Sequence, residues 1–220
     1  MESFTTHRGI LAPLNRANVD TDQIIPKQFL KSIKRTGFGP SAFFDWRYTL
    51  EGKPAEDFEL NEARYKDRSL LVTRNNFGCG SSREHAVWAL AQDGYRVIVA
   101  PYRGEGNDHV PGFADIFKNN CSKNGIVTIE LSEEQVDEIF DTVYAQEGLE
   151  ASCDLENQTL TLHAQDGDKI YSFDYDDSVK NKLLKGLDDI EESLQYLDDI
   201  KSFEETHKTW MNNVDQSVPD

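Results

Sequence analysis

Only three cysteines, Cys79, Cys121 and Cys153, occur in the 220 residues. They are odd in number and far apart, so they do not form a disulfide framework, and a reducing cytoplasm suits them better. No apolar run approaches the roughly 20 residues that a membrane helix needs. The opening stretch, MESFTTHRGILAPL, lacks the basic segment followed by an apolar one that marks a secretory leader. A cytoplasmic location is therefore expected. Basic charge is scarce: 23 Lys and Arg stand against 40 Asp and Glu, a formal net charge of −17. A surface this acidic repels phosphate backbones and anionic lipid, so neither nucleic acid nor a membrane is expected as a partner. Internal repeats and low-complexity tracts are absent.

The apolar fraction, 38% with 10% aromatic, is enough for one packed domain, or a domain with a substantial tail. The charge is segregated. Residues 1–129 carry 17 basic and 15 acidic side chains, and residues 130–220 carry 6 and 25. All ten arginines lie at or before Arg103. Arginine's planar fork matches carboxylate and phosphate oxygens, so a small anion would be bound by the first half. The acidic remainder reads as a solvated surface.

Residues 3–14 read as extended chain. Asn18 to Pro26 is a polar, turn-rich loop in which Asp and Thr side chains can bond nearby backbone N–H groups. Residues 27–47 read as loop and short helix, broken at Gly37-Phe38-Gly39-Pro40, and residues 48–66 as a polar connection with one helical turn. Ser69–Thr73 has strand length, a Gly/Asn loop follows, residues 82–93 form a helix stopped by Gly94, and Arg96–Ala100 is a β-branched run suited to a buried parallel strand. A helix is expected over 111–121, a strand over 126–131, and a helix from Ser132 to about Tyr144. Residues 153–175 read as a hairpin turning at Asp166-Gly167-Asp168. From Val179 to Trp210 apolar residues recur every three or four positions, which predicts a long amphipathic helix or helix pair packed on the domain or on a partner helix. The expected division is an α/β domain over 1–176 and an acidic helical tail over 177–220.

The segment Gly78-Cys79-Gly80-Ser81-Ser82-Arg83-Glu84-His85-Ala86 lies between a strand and a helix. Two glycines let the backbone turn and leave N–H groups open, a helix N-terminus adds free donors, and Ser81, Ser82 and Arg83 add hydroxyls and a fixed cation. A di- or tricarboxylic acid would be held there. The pattern is not a P-loop, because no Gly-Lys-Ser/Thr ends it. Arg83 stands where a dinucleotide fingerprint needs its third glycine. Cys79 near a helix N-terminus is conceivable as a nucleophile, although nothing brings His85 back to it. Ser81 and Glu84 also have the spacing of a capping box. Residue pattern alone leaves capping and catalysis open; two serines followed by an arginine favour function, since a cap needs one hydroxyl and no arginine.

Gly80-Ser81-Ser82-Arg83-Glu84-His85-Ala86, preceded by Asn76-Phe77-Gly78-Cys79, resembles the signature of the swivelling domain of the aconitase superfamily. Asp20-Thr21-Asp22-Gln23-Ile24-Ile25-Pro26 is similar to that family's other hallmark. Phe29-Leu30-Lys31 and Phe113-Ala114-Asp115-Ile116-Phe117-Lys118-Asn119-Asn120 agree as well. The motifs are long and co-linear, cover about residues 3–145, and within the superfamily are similar to the small subunits of 3-isopropylmalate dehydratases. The resemblance implies a swivelling β/β/α domain of the aconitase type, inactive alone, that closes over a [4Fe–4S] cluster held by a partner large subunit.

A cluster needs several converging thiolates. The three cysteines here are widely separated and the five histidines lack zinc-ligand spacing, so no metal is expected on this chain. The implied reaction is dehydration and rehydration of 2-isopropylmalate in leucine biosynthesis. By motif position, Ser81 would be the base that takes the carbon-bound proton. Arg83 would grip a substrate carboxylate, while Ser82 and the Gly80 backbone would shape an oxyanion pocket. Asp22 would orient a cationic or histidine partner; its alternative is plain turn stabilisation. His85 would join a proton relay or simply pack. The loop from Phe29 to Phe38 would face the variable end of the substrate, with Leu30 and Ile33 as an apolar wall and Lys34 or Arg35 contacting a carboxylate or solvent. The alternatives are a sibling hydratase for a homoaconitate- or methylmalate-type acid, and a carboxylate-binding module without chemistry.

Overall fold

The computed structural model describes residues 1–31, 35–81, 83–104 and 108–211, apart from the side chains of 189 and 208–211. The chain divides into two compact units, Met1–Gly186 and Leu187–Asp220. The boundary falls later than the sequence suggests at 176. The helix that follows residue 176 belongs to the first unit.

That unit is built on seven strands in the order β4-β3-β2-β1-β5-β6-β7. They are β1 (Thr6–Leu14), β2 (Arg68–Thr73), β3 (Val97–Pro101), β4 (Val127–Leu131), β5 (Glu150–Asp154), β6 (Thr159–Ala164) and β7 (Gly167–Ser172). The first four pair in parallel, and β5, β6 and β7 continue the sheet antiparallel from the other side of β1. The two halves carry different residue patterns for a physical reason. β3 is buried at every position, as a strand covered on both faces must be, whereas β6 alternates, with Leu160 and Leu162 inward. The hairpin turns on Gln165-Asp166, and Gly167 already pairs with Ala164, so the turn sits one residue earlier than the Asp-Gly signal suggests.

Helices α3 (Glu84–Gln92), α4 (Asp115–Lys123) and α5 (Glu133–Ala145) connect β2 to β3, β3 to β4 and β4 to β5. Helix α5 starts in a capping box: the Gln135 N–H donates to Ser132 Oγ at 3.3 Å, and the Ser132 N–H donates to Gln135 Oε1 at 3.0 Å. Its Val136, Ile139, Phe140 and Val143 recur at helical spacing and are buried.

Between β1 and β2 the chain makes a long excursion through α1 (Thr21–Ile24), α2 (Phe44–Arg47) and several 3-10 turns. The polar connection over 48–66 is not wholly surface: Phe58, Leu60 and Tyr65 are buried. Asp93, at the end of α3, fastens the excursion. It accepts two hydrogen bonds from Arg47, at 2.9 and 2.7 Å, and one from Arg68 at 2.6 Å. Arg68 also donates to Tyr95 Oη at 2.6 Å, and burial holds the Tyr95 phenol up at about 12 despite the nearby Arg68.

Helix α6 (Asp177–Lys185) begins at its Asp176 cap and ends at Gly186. Leu183 is fully buried, the Phe4 N–H donates to its carbonyl at 2.8 Å, and the N-terminal ammonium donates to the Gly186 carbonyl at 2.9 Å. The second unit holds α7 (Asp189–Leu194) and α8 (Leu197–Met211), so three helices, α6 included, stand where one long helix or a helix pair is expected. The expected stripe is divided. Val179 and Leu183 pack on the domain core, but Ile190, Leu194 and Leu197 are exposed at 70%, 53% and 40%. Among the described residues no helix is long and apolar enough to cross a membrane.

Candidate active site

Three loops leave the carboxyl ends of β1, β2 and β3 and run side by side. The Asn18 N–H donates to the Asn75 carbonyl at 3.0 Å, Gly78 to Val19 at 2.8 Å and Thr21 to Cys79 at 3.0 Å. On the other flank Phe77 donates to Gly112 at 2.9 Å, and Ala114 to Phe77 at 3.1 Å. The carboxyl edge of parallel strands is where open α/β sheets place their ligands. Two motifs some sixty residues apart thus become one surface.

Local residues explain the shape. Asp20 caps α1: its Oδ1 accepts from the Asp22 and Gln23 N–H groups at 2.7 and 3.0 Å. Asp20 is therefore the turn former, and Asp22 is left free to project. Gly78 and Gly80 adopt φ of +75° and +89°, where a side chain is strained. At Gly78 space is also closed, because a Cβ there would sit inside the Phe117 ring. Phe117 in turn packs edge-on against Phe77, with ring centroids 5.4 Å apart.

Ser81, Asp22 and Arg83 converge. Arg83 pairs directly with Asp22 through Nη1, and its Nη2 donates to Ser81 Oγ at 3.2 Å. Lys27 Nζ lies 3.3 Å from the other Asp22 oxygen. Thr21 Oγ1 donates to the Ser81 carbonyl at 2.8 Å and fixes the backbone of the serine. The Ser81 side chain is exposed, while the Arg83 side chain is only 17% exposed. An aimed, largely desolvated guanidinium on a serine oxygen favours negative charge there.

Capping and catalysis, left open by the pattern, separate here. Helix α3 begins at Glu84 with Arg83 as its cap residue, so the Ser81–Glu84 capping box does not form. The cysteine alternative also weakens. Cys79 lies ahead of the helix start, and burial, followed by the neighbouring Asp20, pushes its thiol pKa up.

The other candidates scatter. His85 packs between Phe38 and Trp88, with ring centroids at 5.3 and 4.7 Å. Among the described residues it has no hydrogen bond to Ser81, Asp22 or Arg83. Leu30 is half-buried against the core. Arg35 lies over the Trp88 ring at 5.6 Å, and its carbonyl accepts from Gln92 Nε2 at 2.8 Å. Ser82, Ile33 and Lys34 lie outside the described residues. Gly80 and Arg83 line a cleft of about 260 Å³, together with Thr21 and a wall from the start of α4 that includes Ala114 and Ile116. Residue reasoning nominated none of Thr21, Lys27, Ala114 or Ile116. Thr21, Ala114 and Ile116 sit inside the longer motifs, which were the signal for them; Lys27 lies just beyond Pro26, outside every motif.

No group of three His, Cys, Asp or Glu residues suited to a metal occurs among the described residues. Cys121 and Cys153 are buried. Burial holds the Cys121 thiol well above its usual range, and burial with Asp154 pushes Cys153 up to about 12. These protonated, separated thiols do not fit an iron–sulfur cluster on this chain.

The fold and this zipped pair of motifs define an aconitase-type domain: residues 1–134 match the aconitase C-terminal domain family. The 3-isopropylmalate dehydratase small subunit of Desulforapulum autotrophicum is 58% identical, over 98% of this chain and 100% of that protein. That of Neisseria gonorrhoeae is 51% identical, over 97% and 100%. The crystal structure of a 3-isopropylmalate dehydratase from Methanocaldococcus jannaschii, 22% identical, shares the fold with a TM-score of 0.58 over 92% of this chain and 99% of that one. The chain belongs to the family of 3-isopropylmalate dehydratase small subunits, hydro-lyase components of the aconitase superfamily.

Proposed function

We propose that this chain is the small subunit of a hydro-lyase that interconverts 2-isopropylmalate and 3-isopropylmalate through 2-isopropylmaleate, in leucine biosynthesis, and that it works with a large subunit bearing a [4Fe–4S] cluster. The observation that carries this reading is Ser81 Oγ under the guanidinium of Arg83, itself anchored by Asp22.

Dehydration removes a carbon-bound proton and a hydroxide; rehydration returns them with the positions exchanged. The cluster supplies Lewis acidity toward the leaving hydroxyl. Ser81 takes the proton from carbon and later returns it. A serine alkoxide is costly near neutral pH, and the Arg83 donor lowers that cost. Arg83 has five N–H groups. Two of its nitrogens engage Asp22 and Ser81, and the remaining donors serve a substrate carboxylate. Asp22 and Lys27 hold the guanidinium in place. Gly78 and Gly80 keep the backbone open beside it. Ser82 would shape the same pocket. The packing of His85 against Phe38 and Trp88 supports a structural role there.

The test pairs Ser81→Ala with the large subunit and follows the ultraviolet absorbance of the conjugated unsaturated acid. Expected is loss of turnover by a factor of about 10² or more, with the complex still formed. Wild-type-like rates would remove Ser81 as the base. Turnover of a homoaconitate- or methylmalate-type acid in preference to 2-isopropylmalate would move the assignment to a sibling hydratase.

A further inference from the structure

Ser81 follows a soft joint in the chain. Gly80 precedes it at φ +89°, and a glycine there leaves the backbone free to turn. As far as Cys79 the loop is held by backbone bonds. The Gly78 N–H donates to the Val19 carbonyl at 2.8 Å, and the Thr21 N–H donates to the Cys79 carbonyl at 3.0 Å. Beyond Gly80 that zip stops: among the described residues no backbone N–H donates to the Ser81 carbonyl. Its partner is the Thr21 hydroxyl, which donates to it at 2.8 Å. This bond therefore spans the glycine. The two loops also touch at the joint, where a Cβ on Gly80 would come within 3.3 Å of Asp20 Cβ and 3.8 Å of Thr21 Oγ1.

Thr21 suits such a tie. It is 2% exposed, so water does not compete for its hydroxyl. Branching at Cβ restricts its χ1, and its backbone is fixed as the first residue of α1, next to the Asp20 cap. The following residue, Asp22, pairs with Arg83, whose Nη2 donates to Ser81 Oγ at 3.2 Å. One short turn thus holds the serine at two points: Thr21 at the carbonyl, and Asp22, through Arg83, at the hydroxyl. The second hold sets the charge around Oγ, and the first sets where Oγ stands. Proton transfer from carbon is steep in distance, and a misplacement of about 1 Å can cost a factor of about 10².

We propose that Thr21 is a positioning residue for the proton-transfer step: its hydroxyl fixes the Ser81 backbone across Gly80 and so holds Oγ in reach of the substrate carbon. This deepens the function proposed above and rests on Ser81 being the base. Because the tie leaves Arg83 and its pairing with Asp22 in place, its loss is felt in kcat rather than in KM.

The experiment uses the complete enzyme, this chain with its large subunit, and 2-isopropylmalate. Thr21→Val keeps the shape and removes the donor, whereas Thr21→Ser keeps the donor and removes a methyl group. Thr21→Val is expected to lower kcat about tenfold or more with KM within about twofold, and Thr21→Ser to keep kcat within about threefold of wild type. A residue that acts through Ser81 also has nothing left to do without it, so adding Thr21→Val to Ser81→Ala should change the residual rate by less than about twofold. An unchanged kcat in Thr21→Val overturns the proposal, as does a further tenfold loss in the double variant. A rise in KM larger than the fall in kcat would make Thr21 a substrate contact instead. Equal losses in Thr21→Val and Thr21→Ser, or a Thr21→Val chain that does not join the large subunit on size-exclusion chromatography, would make it a packing residue, and the proposal falls. A wild-type complex inactive on 2-isopropylmalate, or one that keeps its rate in Ser81→Ala, overturns the function proposed above. A complex that works and needs Ser81, while Thr21→Val keeps the wild-type kcat, overturns only the role of Thr21.

Discussion

A serine and a cysteine two residues apart receive opposite electrostatic treatment. Ser81 Oγ accepts from Arg83, while Cys79 is half-buried beside Asp20, which disfavours its thiolate. The Cys79 thiol therefore titrates above its ordinary value of 9.0. Since the thiolate is the reactive form, alkylation of Cys79 should be slower at pH 7 than that of a free cysteine and rise only above pH 9, read by peptide mass after iodoacetamide treatment. Cys79→Ala in the complete enzyme should keep turnover within a few-fold of wild type. Rapid labelling at pH 7 together with loss of turnover would restore the nucleophile reading. At this scale the sequence was informative about charge and hydroxyls: Ser81, Arg83 and Asp22 are the residues that meet. Of Thr21 and Ile116 it said only that they sit inside longer motifs. A threonine in a capped turn and an isoleucine in a helix look like ordinary structural residues until the fold puts them on one cleft.

Elements were legible where one local force decided them. β3 is a run of β-branched residues, α5 carries its own capping box, and both form where the pattern puts them. Where tertiary partners decide, the pattern misleads. The Ser81–Glu84 spacing suggests a cap, but the Ser81 carbonyl is claimed by Thr21 and its hydroxyl by Arg83, so α3 begins later, at Glu84. The antiparallel pairing of β5 with β1 joins residues some 140 positions apart, which no local signal encodes. The network at the end of α3 is of this kind too. Asp93, Arg47 and Arg68 have side chains only 13%, 10% and 12% exposed, and their pairing was invisible in sequence. Removing the shared carboxylate leaves two nearly buried guanidinium groups without their anion. Asp93→Ala should cost about 3–5 kcal/mol of stability in chemical denaturation, a large part of the roughly 5–15 kcal/mol a domain possesses. A loss under about 1 kcal/mol would mean that water replaces the carboxylate without cost.

For the whole molecule the relevant questions are where the folded unit ends and what pH does to it. His7 bonds Ser69 Oγ at 2.8 Å across β1 and β2, and burial, then Arg96, lowers its pKa below 6.5. The unfolded chain then binds the extra proton more readily than the folded one. The stability from neutral His7 is complete above pH 6.5 and is lost as pH falls through the lower folded value. Melting temperature should fall between pH 7 and 5, and His7→Gln should flatten that slope; an unchanged slope would assign it to other groups. The sequence suggests an end to the domain at residue 176, because the acidic, helix-spaced pattern runs on without a visible break. Packing divides that pattern instead. Leu183 is fully buried, its carbonyl holds the Phe4 N–H, and the Gly186 carbonyl holds the N-terminus, so α6 is tied to the segment that leads into β1. A chain ending at Gly186 loses ten acidic and two basic side chains with the second unit, and, among the described residues, none of the buried core. It should melt within a few degrees of the full chain. A chain ending at Asp176 loses Leu183 and uncovers Phe4, and removal of one buried leucine alone costs about 2–5 kcal/mol; its melting temperature should fall by several degrees or more. Equal melting of the two truncations would place the end of the folded unit at 176 after all.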